Sequence, residues 1–161
     1  MRANDLPLAR WIALLLPILL IVGALGSQYL GGLYPCEMCH WQRWPHYAAI
    51  VLAALSFFVP RTRAKRALVI MAALAVLGSG LIGVFHAGVE YHWWPGVTAC
   101  ANHLNLSGGD LLAAIVRAPI VRCDVAQWSF LGISLAGFNA ILSIAGALII
   151  LKLAIRKRRR R

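Results

Sequence analysis

The chain has 161 residues, of which 61% are hydrophobic and 13% charged, and sixteen Lys/Arg against five Asp/Glu give a formal net charge of +11. A soluble globular domain carries about 45–50% apolar and about 25% charged residues. The composition therefore excludes a disordered tail and an ordinary cytosolic enzyme, and it fits one small integral membrane domain.

The first apolar run, Trp11 to Leu30, is free of charge. Arg2 and Arg10 before it and Ala24-Leu25-Gly26 near its end resemble a cleavable leader, but an uncleaved helix is the expected reading. A second run, Tyr47 to Val59, is short and reaches the interface only with Trp44 and Pro45. Ala67 to Phe85 forms a third run, ending at His86, and Phe130 to Leu151 a fourth. A helix needs roughly 20 apolar residues to cross a bilayer core. Only helices or closed barrels satisfy their backbone groups in lipid. Four helices and no strands are expected, at about 11–30, 44–59, 67–86 and 130–151.

Thirteen of the sixteen Lys/Arg lie before the first span, between the second and third, and after the fourth. The positive-inside rule then places both termini and residues 60–66 in the cytoplasm. The terminal basic run is read as orientation and attraction to anionic lipid, with no nucleic-acid partner. The expected fold is an all-α membrane protein in a single domain, 1–161. It is a four-transmembrane-helix bundle with periplasmic loops at about 31–43 and 87–129. The second loop carries a short interfacial amphipathic helix, Asp110 to Ile120. Five of the six Trp fall at the outer edge, as an aromatic belt would. Gly78, Ser79, Gly80 and Gly83 in span three, and Gly132, Ser134, Ala136 and Gly137 in span four, allow close helix approach. Asn139 is read as an interhelical hydrogen bond.

This topology uses no cysteine, yet it puts Cys36, Cys39, Cys100 and Cys123 on the outer side, where disulfides persist in a bacterium. Cys36-Glu-Met-Cys39 has the C-x-x-C spacing of thiol–disulfide oxidoreductases. Cys100 and Cys123 close a longer loop, worth about 3 kcal/mol as a staple in the chain-entropy model. Forty-odd residues over a bilayer offer little core to staple, so a mobile redox pair is the stronger reading. Four cysteines allow three pairings, and the resting connectivity stays open.

Arg43 follows Cys39 by four residues, against the positive-inside bias. On a helix the two share a face, and a cation there favours the Cys39 thiolate and polarises the oxygen of a bound quinone. Pro45 suggests that the second span becomes regular only near residues 42–44. His86, Glu90 and His92, at the end of span three, are candidates for proton handling. His40 completes C-x-x-C-H, the c-type haem attachment pattern, so a membrane-anchored c-type cytochrome is the alternative reading. A zinc site from Cys36, Cys39 and two histidines is weighed and set aside, and no metal is expected.

Four spans, PCEMCHWQR at the head of span two, a second outer cysteine pair and basic cytoplasmic flanks together resemble the bacterial DsbB family. These are inner-membrane thiol:quinone oxidoreductases that reoxidise DsbA. The resemblance implies a periplasmic DsbA-like thiol oxidase as partner and ubiquinone or menaquinone as cofactor, in the lipid bilayer of the inner membrane. It implies that Cys100–Cys123 is the disulfide attacked by the partner, with Cys100 forming the mixed disulfide. Cys123 would then pass electrons to Cys36–Cys39, Cys39 would face the quinone, and Arg43 would hold it. The family's histidine near the quinone is not placed by the sequence, because His86, His92 and His40 compete. DsbA sits at about −120 mV, so a thioredoxin-like pair near −270 mV would face roughly 7 kcal/mol uphill. The C-x-x-C pair is therefore expected to be unusually oxidising, with quinone reduction pulling the exchanges.

Overall fold

The computed structural model describes residues 5–98 and 121–155. Cys100, the expected helix at Asp110–Ile120 and the basic tail beyond residue 155 lie outside the described residues. Among the described residues four helices run in sequence: α1 (Leu6–Tyr29), α2 (Glu37–Phe58), α3 (Thr62–Glu90) and α4 (Leu135–Ile155). Each packs on its neighbours in the chain, and α4 closes on α1 to complete the bundle. Three of them, α1, α3 and α4, are long and apolar enough to cross a membrane. α2 has 22 residues, but its first half carries Glu37, His40, Gln42, Arg43 and His46.

Exposed and buried residues divide as they do in a bundle wrapped by lipid. Leu15, Leu19, Val51, Leu55, Leu81 and Leu148 face outward. The core toward the basic end is built from Ala9, Ala13, Ala49, Ala53, Ala72 and Ala147 around Val69, Val76 and Ile150. Lipid tails are as apolar as leucine, so membrane helices associate through close packing of small residues. Gly80 and Gly83 do this between α3 and α4. A Cβ on Gly83 would stand 3.0 Å from the Ala136 carbonyl oxygen and 3.1 Å from the Ala140 nitrogen.

The helix limits differ from the sequence expectation in informative ways. α2 begins at Glu37, two turns earlier than Pro45 suggested, so Cys39, His40 and Arg43 belong to a helix and not to a loop. Cys36 explains the early start, because it caps the helix with its sulfur. Pro45 sits inside α2, where it removes one backbone donor. One residue on from the Trp41 carbonyl that Pro45 leaves without its helical donor, the Ser79 hydroxyl donates to the Gln42 carbonyl at 2.8 Å.

α4 starts five residues later than expected, and the expectation of no strands is corrected by a small hairpin. β1 (Ser129–Phe130) pairs antiparallel with β2 (Ile133–Ser134), with Phe130 opposite Ile133. Its two-residue loop, Leu131-Gly132, has positive φ at both positions, 52° and 77°. That is the requirement of a type I′ turn, whose twist matches the strands. Gly132 therefore serves a turn and not a helix interface. Ser134 then caps α4, accepting from the Gly137 N–H at 3.1 Å.

Replacing Gly83 with Leu should lower the stability of the detergent-solubilised protein by about 1–3 kcal/mol, read as a lower midpoint in thermal unfolding. Gly78→Leu, at a position where a Cβ meets nothing within 4 Å, should leave the midpoint nearly unchanged. Equal effects would show that α3 and α4 do not meet along Gly83.

Candidate functional site

Cys36 is the N-cap of α2, with extended backbone (φ −80°, ψ 176°). Its sulfur accepts from the Cys39 N–H at 3.3 Å, as a Ser or Asp oxygen would in a cap. The C-x-x-C spacing is the spacing from N-cap to third helical residue, so capping alone brings the two side chains together. Their sulfurs lie 2.9 Å apart, and both cysteines are free in this structure. The hydrogen bond to Cys39, reinforced by burial, pushes the Cys36 thiol far above its ordinary range. Cys36 thus keeps its proton and points it at Cys39, at the helix end that favours negative charge.

Cys123 packs with Cys36, Met38 and Val89 in one small buried cluster. The Thr98 hydroxyl donates to its sulfur at 3.5 Å. Gln127 Nε2 donates to the Tyr34 carbonyl at 2.6 Å, which ties this segment to the turn before Cys36. Three of the four cysteines therefore gather at one end of the bundle, away from Arg10, Arg61–Arg66 and Lys152. The sequence predicted Cys36, Cys39 and Cys123 on one side, and the described residues bring them together.

Beneath the sulfurs lies a cavity of about 590 Å³. Ligand pockets commonly span about 300–1,000 Å³. Its wall is mostly apolar, with Leu16, Leu19 and Leu20 from α1 and Leu142 from α4, and Cys39, Arg43, His46, His86 and Glu90 also line it. Arg43 is fixed to α1, with Nη1 donating to Gln28 Oε1 at 2.8 Å and Nη2 to the Ala24 carbonyl at 3.3 Å.

His86 is buried, with Nε2 3.5 Å from Cys36 Sγ and 3.8 Å from Glu90 Oε1. Glu90 also accepts a short hydrogen bond from the Ser134 hydroxyl, which locks the end of α3 onto the start of α4. The donor atoms of Cys36, Cys39 and His86 lie within 4.8 Å of one another.

Two expected site residues fall elsewhere. His92 is exposed just beyond α3, with φ 57°. Its N–H bonds the Val89 carbonyl, and the Trp93 N–H bonds the Gly88 carbonyl. These are the paired bonds of a Schellman motif, with His92 in the left-handed position usually given to glycine. His92 ends a helix and does not line the cavity. His40 is exposed on α2 and likewise does not line it.

The sequence reading missed His46 and Gln42 and understated Asn139. Asn139 Nδ2 donates to Gln42 Oε1 at 2.8 Å. His46 Nε2 meets Asn139 Oδ1 and Ser79 Oγ, each at 2.9 Å. Gln42 Nε2 meets His86 Nδ1 at 2.7 Å. The available signal was polar residues four apart, Gln42 and His46, on the face of α2 that carries Met38, together with one Asn inside an apolar span.

A family model described as "Disulfide bond formation protein DsbB" matches residues 7–153. "Disulfide bond formation protein B" of Polaromonas sp. strain JS666 is 29% identical over 157 residues, covering 89% of this chain and 88% of that protein. The protein of the same name in Methylococcus capsulatus is 30% identical over 128 residues, covering 76% and 77%. No solved structure gives a significant match. With the family model spanning all four helices and the C-x-x-C cap, the chain belongs to the DsbB family of membrane disulfide bond formation proteins.

Proposed function

We propose that this protein is a thiol:quinone oxidoreductase that reoxidises a periplasmic DsbA-like dithiol and makes disulfides de novo. The observation that carries the reading is the order of the sulfurs. Cys123 packs on Cys36, and Cys36 touches Cys39. Cys39 in turn lines an apolar cavity beside Arg43.

In the exchange sequence a thiolate of the partner attacks Cys100 of a Cys100–Cys123 disulfide and releases Cys123. Cys123 attacks Cys36 of the Cys36–Cys39 disulfide and releases Cys39 as a thiolate. The partner's second thiol resolves the mixed disulfide, and the freed Cys100 attacks Cys123, restoring Cys100–Cys123 and releasing Cys36. Each step is thiolate attack on a disulfide sulfur. Two electrons and two protons then reside on Cys36 and Cys39.

The cavity residues fit a quinone, whether ubiquinone or menaquinone. The leucines of α1 and α4 suit an apolar ring and tail, and the Arg43 guanidinium suits an oxygen that gains negative charge. When bound, a quinone supplies the acceptor for the two electrons and two protons. Arg43, pre-oriented by Gln28 and the Ala24 carbonyl, would hold it, and His86 and Glu90 would manage protons beside the sulfurs. The cytochrome alternative draws no support, because Cys36 is buried beneath Cys123 and His40 is exposed.

In purified protein supplied with a short-chain ubiquinone and a reduced thioredoxin-fold dithiol, the quinone absorbance should fall in proportion to thiol consumed. Cys36→Ser and Cys39→Ser should abolish this coupling. Either variant retaining it would defeat the proposal. Arg43→Ala should raise the KM for quinone by about 10–100-fold, the worth of a charge-assisted hydrogen bond.

The orientation implied is a multi-pass inner-membrane protein with the cysteine end periplasmic and both termini cytoplasmic. Alkaline phosphatase fused after Gly32 should be active and after Pro60 inactive. The reverse pattern would overturn the orientation.

A further inference from the structure

The cavity carries two histidines, and the hydrogen-bond chain between them decides which ring nitrogen of each bears the proton. Gln42 Nε2 lies 3.3 Å from the Met38 carbonyl, which can only accept. Turning the Gln42 amide over would set oxygen against oxygen. Asn139 Nδ2 lies 3.3 Å from the Ser79 carbonyl, which fixes that amide in the same way. With both amides oriented, Gln42 presents an N–H to His86 Nδ1. Asn139 presents its oxygen to His46 Nε2. His86 Nδ1 must therefore be the acceptor, which leaves its proton on Nε2. His46 must also carry its proton on Nε2, and its Nδ1 is left as a buried acceptor with no partner. Gln42 is itself buried.

The consequence falls on the sulfurs. Cys36, Cys39 and His86 are spaced as three ligands of a soft divalent cation would be. A ligating histidine must offer a lone pair, with its other nitrogen donating to an acceptor. Here the nitrogen that faces Cys36 carries the proton, which the Cys123 backbone also accepts, and its other nitrogen faces a donor.

We propose that Gln42 is a positioning residue that holds His86 as a hydrogen-bond donor toward the cysteine sulfurs and thereby keeps the reduced dithiol from capturing soft metal ions such as Zn²⁺ or Cd²⁺. The inference rests on the dithiol chemistry proposed above, because only the reduced pair exposes thiolates to a metal. Gln42→Glu is the informative substitution. A carboxylate in that place would accept from Nδ1–H, reverse the His86 tautomer, and complete a carboxylate–histidine–metal arrangement. Partners of this kind change metal affinity by about 10–100-fold.

The test uses the full chain in detergent, reduced and labelled with ¹⁵N-histidine. Resonances are assigned by the loss of one signal in His86→Asn and of another in His46→Asn. In the wild type both histidines should show the Nε2–H tautomer. In Gln42→Glu, His86 should change to Nδ1–H. Titration with Cd²⁺, followed by thiolate-to-metal absorption, should show binding about 10–100-fold tighter than in the wild type. A wild-type His86 protonated at Nδ1 overturns the proposal, as does a folded Gln42→Glu with unchanged tautomer and unchanged Cd²⁺ affinity. If Gln42→Glu does not fold, the wild-type spectrum decides alone. Neither readout requires quinone or partner, so an intact tautomer without quinone turnover would refute the oxidoreductase reading and leave this one standing.

Discussion

One hydrogen bond organises the functional end of this molecule, the Cys36 sulfur accepting the Cys39 backbone N–H at the start of α2. A helix N-terminus leaves four N–H groups without intrahelical partners, and the chain uses a cysteine to satisfy one of them. The same bond sets the distance between the two cysteines and aims the helix dipole at the sulfurs. It also fixes where α2 begins, and hence the height of Arg43, Gln42 and His46 in the bundle. In the proposed chemistry, a disulfide between Cys36 and Cys39 forms and opens within one turn of chain, at a point where the backbone is already constrained.

The rest of the bundle holds that helix end still. Small residues on α3 and α4 let the backbones meet, and Asn139 reaches between α2 and α3 in the space they leave. Polar groups in a lipid-embedded core are costly unless paired. Here two backbone carbonyls anchor two amides and the amides orient two histidines, leaving one orphan nitrogen among them. Glu90, Tyr91 and Ser134 perform the corresponding service at the cysteine end. The Tyr91 hydroxyl donates to the Gly132 carbonyl and accepts from the Ser134 N–H. The pocket is thus walled by helices whose relative heights are fixed at two levels.

Much of this was legible in the sequence, and the reasons are physical. Hydropathy reports span number because lipid punishes every polar interruption, so four helices were readable. Their ends were less so. Lys and Arg snorkel, which let α3 begin at Thr62, ahead of its apolar run, and at its other end α3 runs on past Phe85 to Glu90. A cysteine is not a usual cap, which hid the start of α2. Leu131 in the left-handed region is a poor turn signal, so the hairpin was read as helix. Cys36, Cys39, Cys123, Arg43, His86 and Glu90 stood out because their chemistry is scarce in an apolar chain, and the structure gathers them at one end of the bundle. His92 misled because proximity in sequence to the end of a span resembles proximity to a site, whereas the Schellman turn carries it outward. His46 and Gln42 were missed because their roles depend on partners 33 to 97 residues away, which no local pattern encodes.

The central claim is that Cys123 exchanges with Cys36 while Cys39 leaves toward the cavity. Its most direct test is disulfide mapping by mass spectrometry after brief exposure to a mild two-electron thiol oxidant, diamide, in the Cys39→Ser and Cys36→Ser proteins, each carrying Cys100→Ser. The account predicts rapid Cys36–Cys123 linkage in the first and little linkage in the second. Equal linkage of Cys123 to Cys39 in the second would contradict the proposed order of electron transfer.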